Sequence, residues 1–151
     1  LLPEVAKPER AEVARQVLPP EVWQEVFDEV EAVLEATHLD FAFAPEVLVE
    51  VPVTAALPQL GDARILGRID RLVISKNEVL AIDFKSNREV PDTAEATPEA
   101  ILRQMGAYAA ALVQIYPDKT VKTAIIWTHR AKLMELPEKT TYEALNRVAA
   151  S

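Results

Sequence analysis

The chain has 151 residues, of which 50% are hydrophobic and 26% are charged, and it contains only three glycines. This composition excludes collagen-like, low-complexity and wholly disordered chains and suits one domain with a sizeable core. Sixteen basic and 24 acidic residues give a formal charge of −8, which argues weakly against a free-standing nucleic-acid-binding protein. The absence of cysteine excludes disulfides, thiol nucleophiles and cysteine-ligated metal centres. No apolar run is long enough to span a membrane.

The N-terminal segment, residues 1–36, carries most of the acidity, with nine acids against three bases. Its pattern predicts a short helix around Glu9–Leu18, a break at Pro19-Pro20, and then a longer helix with apolar residues at three- and four-residue spacing. We interpret the acids of the longer helix as a solvated face rather than a metal site.

The rest of the chain alternates strands and helices. Period-2 and β-branched patterns predict four strands, at Val47–Val53, Arg64–Ile74, Glu78–Ser86 and Val121–Thr128. A long helix is predicted to begin at Thr97-Pro98, with Thr97 as its N-cap, and to stop before Pro117. A closing helix is expected at 139–150. The order α-β-β-β-α-β, followed by the closing helix, predicts an α/β domain with a mixed central sheet flanked by helices.

The second and third strands are predicted to form a hairpin about the turn Lys76-Asn77. Symmetry about this turn places Asp70 directly opposite Asp83, and Arg68 opposite Lys85. The other face then carries a mostly apolar set, Ile69, Arg71 and Val73 opposite Phe84, Ile82 and Leu80. A slip of one residue would destroy this segregation, which favours the register.

Two opposed carboxylates destabilise a sheet unless a cation, a shared proton or a neighbouring base compensates them. A divalent ion such as Mg2+ could do so, because it prefers carboxylate oxygens. Lys85 lies two residues after Asp83 and projects from the same face. A metal-activated water beside an ammonium suits phosphodiester hydrolysis. The spacing alone leaves a cluster of surface ion pairs equally open.

Three further positions are weaker candidates on their own. Gln104 and Tyr108 lie four residues apart on the long helix and share a face, as many core-edge residues do. Glu50, central in the first strand, either adds a carboxylate near the hairpin or forms a salt bridge with an arginine of the next strand. Arg88 either contacts a phosphate or is a solvated loop base.

Three short segments together resemble the nuclease domain of RecB-type enzymes in the PD-(D/E)XK superfamily. They are Gly67–Leu72 (GRIDRL), Ile82–Arg88 (IDFKSNR) and Gln104–Tyr108 (QMGAY). The resemblance is greatest to the C-terminal nuclease domain of the A subunit of bacterial AddAB helicase-nucleases, and it covers nearly the whole chain. It implies a single nuclease domain over 1–151 with a catalytic core at 46–128, as part of a larger helicase-nuclease chain.

The resemblance also implies roles for individual residues. The catalytic residues that it implies are Asp70, Asp83 and Lys85. The metal ligands that it implies are the carboxylates of Asp70 and Asp83 and the backbone carbonyl of Phe84. The residues expected to contact nucleic acid are Gln104 and Tyr108, as a QxxxY pair, and Arg88. Family members carry a further histidine ligand on an upstream helix, which we expect before Leu1, because His38 and His129 do not sit in that motif.

The function implied by the resemblance is metal-dependent hydrolysis of DNA in double-strand break repair by homologous recombination. The expected cofactor is Mg2+ or Mn2+, and ATP is expected only for helicase parts outside this chain. The expected partners are single-stranded DNA, the helicase portion of the same polypeptide and a second nuclease subunit, in the bacterial cytoplasm. Two alternatives remain, a catalytically silent module for DNA docking or assembly and an unrelated α/β domain with a surface ion cluster.

Overall fold

A five-stranded mixed sheet lies at the centre of the structure, a computed structural model that describes residues 9–150, with side chains to residue 147. The strands lie side by side in chain order, and they are β1 (Leu48–Leu57), β2 (Ala63–Ile74), β3 (Glu78–Lys85), β4 (Thr120–Trp127) and β5 (Lys132–Leu136). Strands β3 and β4 are parallel, and the other neighbours are antiparallel. The predicted α/β class with a mixed sheet is confirmed.

Helices flank the sheet, and their bounds are α1 (Arg10–Val17), α2 (Trp23–Glu35), α3 (Glu99–Ile115) and α4 (Glu138–Ala150). Helix α3 begins at Glu99, with Pro98 as its N-cap. The predicted Thr97 cap is wrong, because the Thr97 hydroxyl lies 3.6 Å from the sulfur of Met134. No helix within residues 9–150 has the length and hydropathy needed to cross a membrane.

Strand β5 was not predicted, because the sequence pattern ended the sheet at the fourth strand. It returns antiparallel to β4 after a single 3-10 turn at Thr128–Arg130, and Ala131 takes a left-handed conformation there, with φ of 47°. Met134 and Leu136 are buried in the core. Five residues with two inward positions are too few to show a clear period-2 pattern.

The central strands β3 and β4 are buried on both faces of the sheet. Neighbouring residues of β3 and β4 enter opposite cores, as expected for central parallel strands. The core on the side of α3 and α4 contains, among others, Leu57, Ile69, Leu72, Val79, Ala81, Met105, Leu112, Ile125 and Trp127. The core on the side of α2 contains Val33, Leu39, Ala42, Ile82, Ala124 and Ile126.

The predicted β2–β3 register is confirmed over four pairs, from Arg71 opposite Ile82 to Ile74 opposite Val79. The pairing of β2 with β3 stops at Arg71, whereas β2 continues to pair with β1 as far as Ala63. The β1–β2 hairpin therefore extends beyond its pairing with β3 as an arm. Its inner face packs against α3, where the Gln114 side chain donates to the Ala56 carbonyl at 2.9 Å.

One predicted face assignment is wrong. Ile69 lies in the α3-side core together with Leu72, not on the face that carries Val73. Regular alternation would put Ile69 and Leu72 on opposite faces, so the alternation changes between them. At the same level of β1, Glu50 has a φ of 49°, a left-handed conformation that is uncommon for residues other than glycine. The β1–β2 register omits only the Glu50–Asp70 pair along its length.

Helices α3 and α4 approach each other closely at Gly106. A Cβ atom at this position would lie 2.5 Å from the carbonyl oxygen of Thr141 and 3.2 Å from Cβ of Leu145. The glycine is therefore required by the approach of α4 and not by its backbone conformation.

We expect Gly106→Ala to lower the free energy of unfolding by about 1–2 kcal/mol in urea denaturation. Alanine is favoured over glycine in a helix by about 1 kcal/mol. Overpacking against backbone typically costs about 1–3 kcal/mol, and the contact with the Thr141 carbonyl should outweigh the gain. An alanine variant as stable as the parent, or more stable, would contradict this account of the α3–α4 contact.

Candidate active site

The candidate site begins where the β2–β3 ladder ends. The carboxylate of Asp70 accepts the backbone N–H of Phe84 through Oδ2 at 2.8 Å. In a strand, the N–H and C=O of one residue point to the same side, so the Phe84 carbonyl faces the Asp70 side as well. Two of the predicted ligand groups therefore face the same gap between β2 and β3.

The separation of the strands corrects part of the predicted pairing. Asp70 and Asp83 were expected to be directly opposed within the ladder, and so were Arg68 and Lys85, but the register stops one pair earlier. The physical reason is that side chains take over the ladder bonds. The Phe84 N–H bonds to the Asp70 carboxylate, and the Arg68 carbonyl accepts the Tyr108 hydroxyl at 3.0 Å.

Asp83 is the buried acid of the site, with 5% of its surface exposed. Its Oδ2 atom lies 2.8 Å from Nζ of Lys85, and it is buried without a well-aligned hydrogen bond from any described residue. Burial raises the pKa of Asp83 from 3.8 to about 6. The Lys85 ammonium lowers this pKa, and the negative charge of Asp70 raises it. The two carboxylates therefore interact electrostatically although they are not paired in the ladder.

A chain of hydrogen bonds connects the catalytic candidates to α3. Nζ of Lys85 donates to Oε1 of Gln104 at 3.0 Å, and Nε2 of Gln104 donates to the Tyr108 hydroxyl at 3.3 Å. Burial is the largest cause that raises the pKa of Tyr108, so its hydroxyl keeps its proton and donates to the Arg68 carbonyl. The structure thus brings Gln104 and Tyr108 to Lys85, as the sequence reasoning anticipated.

Gly67 is a site residue to which the sequence reasoning gave no separate role. A Cβ atom at Gly67 would lie 2.6 Å from Cε1 of Tyr108. The Tyr108 ring therefore lies directly against the backbone of β2, which places its hydroxyl within reach of the next carbonyl. A glycine inside a strand often marks such a close approach, and that signal was available in the sequence.

Helix α2 reaches the end of β3 through two acids one turn apart. The Thr128 hydroxyl donates to Glu29 at 2.6 Å and lies 3.3 Å from the Lys85 carbonyl. Glu25 forms an ion pair with Arg88 at 3.1 Å. Glu25 is exposed, as the interpretation of a solvated face predicted. That interpretation is wrong for Glu29, which is half-buried against Thr128 at the end of the site strand. Arg88, whose side chain is 79% exposed, stays a prediction as a phosphate contact.

The other candidates lie apart from this network. Glu50 is exposed, and the arginine salt bridge considered for it is not formed with any described residue. Nε2 of His38 hydrogen-bonds to the carbonyl of Ala131 at 2.9 Å. His129 is exposed in the turn between β4 and β5.

The donor set of the site fits a hard divalent cation. Residues 9–150 contain no group of three or more acidic, histidine or cysteine side chains that could hold a metal ion. Mg2+ commonly uses only one or two carboxylates, with waters and substrate oxygens completing its shell. Asp70, Asp83 and the Phe84 carbonyl meet that requirement. A cation would also relieve the repulsion between the carboxylates and stabilise the poorly satisfied Oδ2 of Asp83.

Comparisons with known proteins give a family but no near relative. The family model described as the PD-(D/E)XK nuclease superfamily matches residues 2–150. A search of the curated proteins returned no significant match. Among 13 matching chains of solved structures, one titled "Crystal structure of SSO0001" is 16% identical, with a TM-score of 0.42. The match covers 91% of this chain and 63% of that one, so this chain spans less than two thirds of that structure.

The raised pKa of Asp83 predicts a specific pH dependence of stability. Between its unfolded pKa near 3.9 and its folded value of about 6, the folded state binds the proton more tightly. The stabilisation from Asp83 is therefore present at low pH and is lost as pH rises through about 6. We therefore compare the free energies of unfolding of Asp83→Asn and the parent. The value for Asp83→Asn minus that for the parent should increase by up to about 2 kcal/mol between pH 4 and pH 7.

Urea denaturation in EDTA at several pH values measures this difference, because EDTA removes any contribution from metal binding. Taking the difference between the two proteins cancels the titration of the other carboxylates. A difference that does not change with pH, or that falls as pH rises, would contradict the burial of an ionisable Asp83.

Proposed function

Because the chain belongs to the PD-(D/E)XK nuclease superfamily, we propose that the site around Asp83 and Lys85 hydrolyses phosphodiester bonds of DNA with a bound divalent metal. The observation that supports this most strongly is the Lys85 ammonium, which is held between the Asp83 carboxylate and the Gln104 amide at the edge of a gap lined by oxygen ligands. A cluster of surface ion pairs would not require a buried aspartate or an amide partner from a separate helix.

The metal would be held by Asp70, Asp83 and the Phe84 carbonyl. When bound, Mg2+ or Mn2+ supplies an activated water and neutralises charge on the phosphate. The protein positions these donors on two strands of the sheet rather than on loops. Asp70 is fixed by the Phe84 N–H, and Asp83 is fixed by burial and by Lys85.

Lys85 is placed to stabilise negative charge on the substrate. An ammonium has three N–H donors, of which Asp83 and Gln104 take two. The third is available to the attacking water or to a phosphate oxygen. The side chain is 24% exposed, so a substrate can reach it from solvent. Charge stabilisation by one such fixed donor commonly contributes about 100- to 1,000-fold in rate.

Gln104 and Tyr108 orient the ammonium from α3. The Gln104 amide accepts from Lys85 through its oxygen and donates to the Tyr108 hydroxyl through its nitrogen, so both ends of the amide are fixed. The Tyr108 hydroxyl in turn donates to the β2 backbone. The pair thus connects β3, β2 and α3. We assign to it the positioning of the site and of the bound DNA.

The resemblance of the segments GRIDRL, IDFKSNR and QMGAY supports a narrower proposal. We propose that the domain serves a helicase-nuclease of the AddAB type, cuts single-stranded DNA delivered by the helicase portion of the same polypeptide, and acts beside a second nuclease subunit. In that setting it would contribute to double-strand break repair by homologous recombination in the bacterial cytoplasm. The formal net charge of −8 suits a domain to which other parts deliver DNA.

Lys85→Met should reduce Mg2+-dependent cleavage of end-labelled single-stranded DNA by about 100- to 1,000-fold in single-turnover experiments. Methionine keeps the apolar length of the side chain but removes the ammonium. The matched control is Lys122→Met, because Lys122 lies on the adjacent strand β4 and forms an ion pair with Glu78 at 3.2 Å. The control should cleave at the rate of the parent.

Loss of cleavage in Lys85→Met alone supports the proposed role. Equal rates for the folded Lys85→Met variant and the parent would remove Lys85 from the mechanism. A folded parent that binds DNA but does not cleave it with Mg2+ or Mn2+ would favour the alternative of a catalytically silent docking module.

A further inference from the structure

The outer face of the β1–β2 arm carries two arginines and a leucine, and neither arginine forms an ion pair with a described residue. Ile65, Gly67 and Ile69 face α3 and its core. Alternation along β2 therefore turns Arg64, Leu66 and Arg68 to the opposite face, and all three are exposed. We call these three residues the arm strip.

We propose that the arm strip binds single-stranded DNA and guides it to the site at Asp70, with phosphates on Arg64 and Arg68 and a base against Leu66. This inference rests on the proposed nuclease function and adds a binding surface to it. The strip ends at Arg68, two residues before the candidate ligand Asp70 on the same strand.

The electrostatic surroundings of the strip favour an anionic partner. Neither arginine forms an ion pair with a described residue, and Arg64 donates only to the hydroxyl of Thr54, at 3.3 Å. Their cross-strand neighbours on β1 are uncharged, with Arg64 opposite Ala56 and Arg68 opposite Pro52. By contrast, Arg88 beyond β3 is paired with Glu25. The strip thus keeps two available cations in a chain of net charge −8.

Leu66 distinguishes the strip from a simple basic patch. It is 82% exposed, more than any other large hydrophobic residue among those described. Residues two apart on one strand are separated by about 6.7 Å, so Leu66 lies midway between the Cα atoms of Arg64 and Arg68, which are about 13 Å apart. Nucleic-acid-binding surfaces combine cations that follow the backbone with apolar side chains that contact bases. A protein partner would be expected to use a larger contiguous apolar patch.

The test measures binding of the 151-residue chain to a fluorescein-labelled oligothymidylate of about 16 nucleotides, by anisotropy in EDTA over a range of salt concentrations. EDTA prevents metal-dependent cleavage, so the result does not depend on catalysis. The variant is Arg64→Gln with Arg68→Gln. The matched control is Lys76→Gln with Lys139→Gln, which removes two exposed charges from the β2–β3 turn and from α4.

The arginine pair should weaken binding roughly tenfold at low salt, and the slope of log affinity against log salt should flatten by about 1.4, or about 0.7 for each lost phosphate contact. The control pair should change neither quantity. Leu66→Ala should weaken binding to the thymidylate roughly threefold but leave binding to an abasic oligonucleotide of the same length unchanged.

Equal effects of the arginine and control pairs, an unchanged salt slope, or no DNA binding by the parent would overturn the proposal. So would a change in self-association by Leu66→Ala with DNA affinity unchanged, which would indicate a protein contact. Cleavage is measured separately with Mg2+ over a range of DNA concentrations, where the arginine pair should require more DNA for half-maximal cleavage. A parent that binds through the strip but does not cleave would contradict the nuclease function and leave this inference standing.

Discussion

The hydrogen bond from the Phe84 N–H to the Asp70 carboxylate is the interaction on which the rest of the site depends. It replaces a backbone partner at the point where β2 and β3 separate, so the strands can part without leaving a buried N–H unpaired. An unpaired buried donor costs about 1–3 kcal/mol, and the Asp70 carboxylate avoids that cost by accepting the Phe84 N–H. The carboxylate keeps further lone pairs that can bind a cation. The same carboxylate therefore closes the ladder and lines the gap that would hold a cation.

The electrostatics of the gap follow from that separation. Asp83 is buried beside a second carboxylate, and one ammonium compensates only part of the charge, which leaves its pKa raised. A divalent ion bound here would relieve the repulsion between the two carboxylates and favour loss of the Asp83 proton. Lys85 is then held by Gln104 from the opposite side, so its position does not depend on Asp83 alone.

The sequence was informative where local pattern decides structure and uninformative where tertiary contacts override it. The hairpin register followed from the Lys76-Asn77 turn and the segregation of apolar residues. The place of Gln104 beside Lys85 did not follow from spacing, and only the resemblance to the nuclease family implied that Gln104 belongs to the site. The point at which the β2–β3 pairing ends could not be predicted from the sequence, because period-2 alternation does not show where a side chain replaces a backbone acceptor. The contact of Glu29 with Thr128 joins residues 99 positions apart, beyond the reach of any local pattern.

We propose that Asp70, Asp83 and the Phe84 carbonyl together hold one divalent ion. Anomalous diffraction from crystals of the chain grown with Mn2+ tests this directly, because the ion is located without reference to activity. We expect one strong peak about 2.0–2.3 Å from a carboxylate oxygen of Asp70, an oxygen of Asp83 and the Phe84 carbonyl oxygen. A Mn2+ peak elsewhere, or no peak in this gap at Mn2+ concentrations that support DNA cleavage, would show that these three groups do not form the metal site.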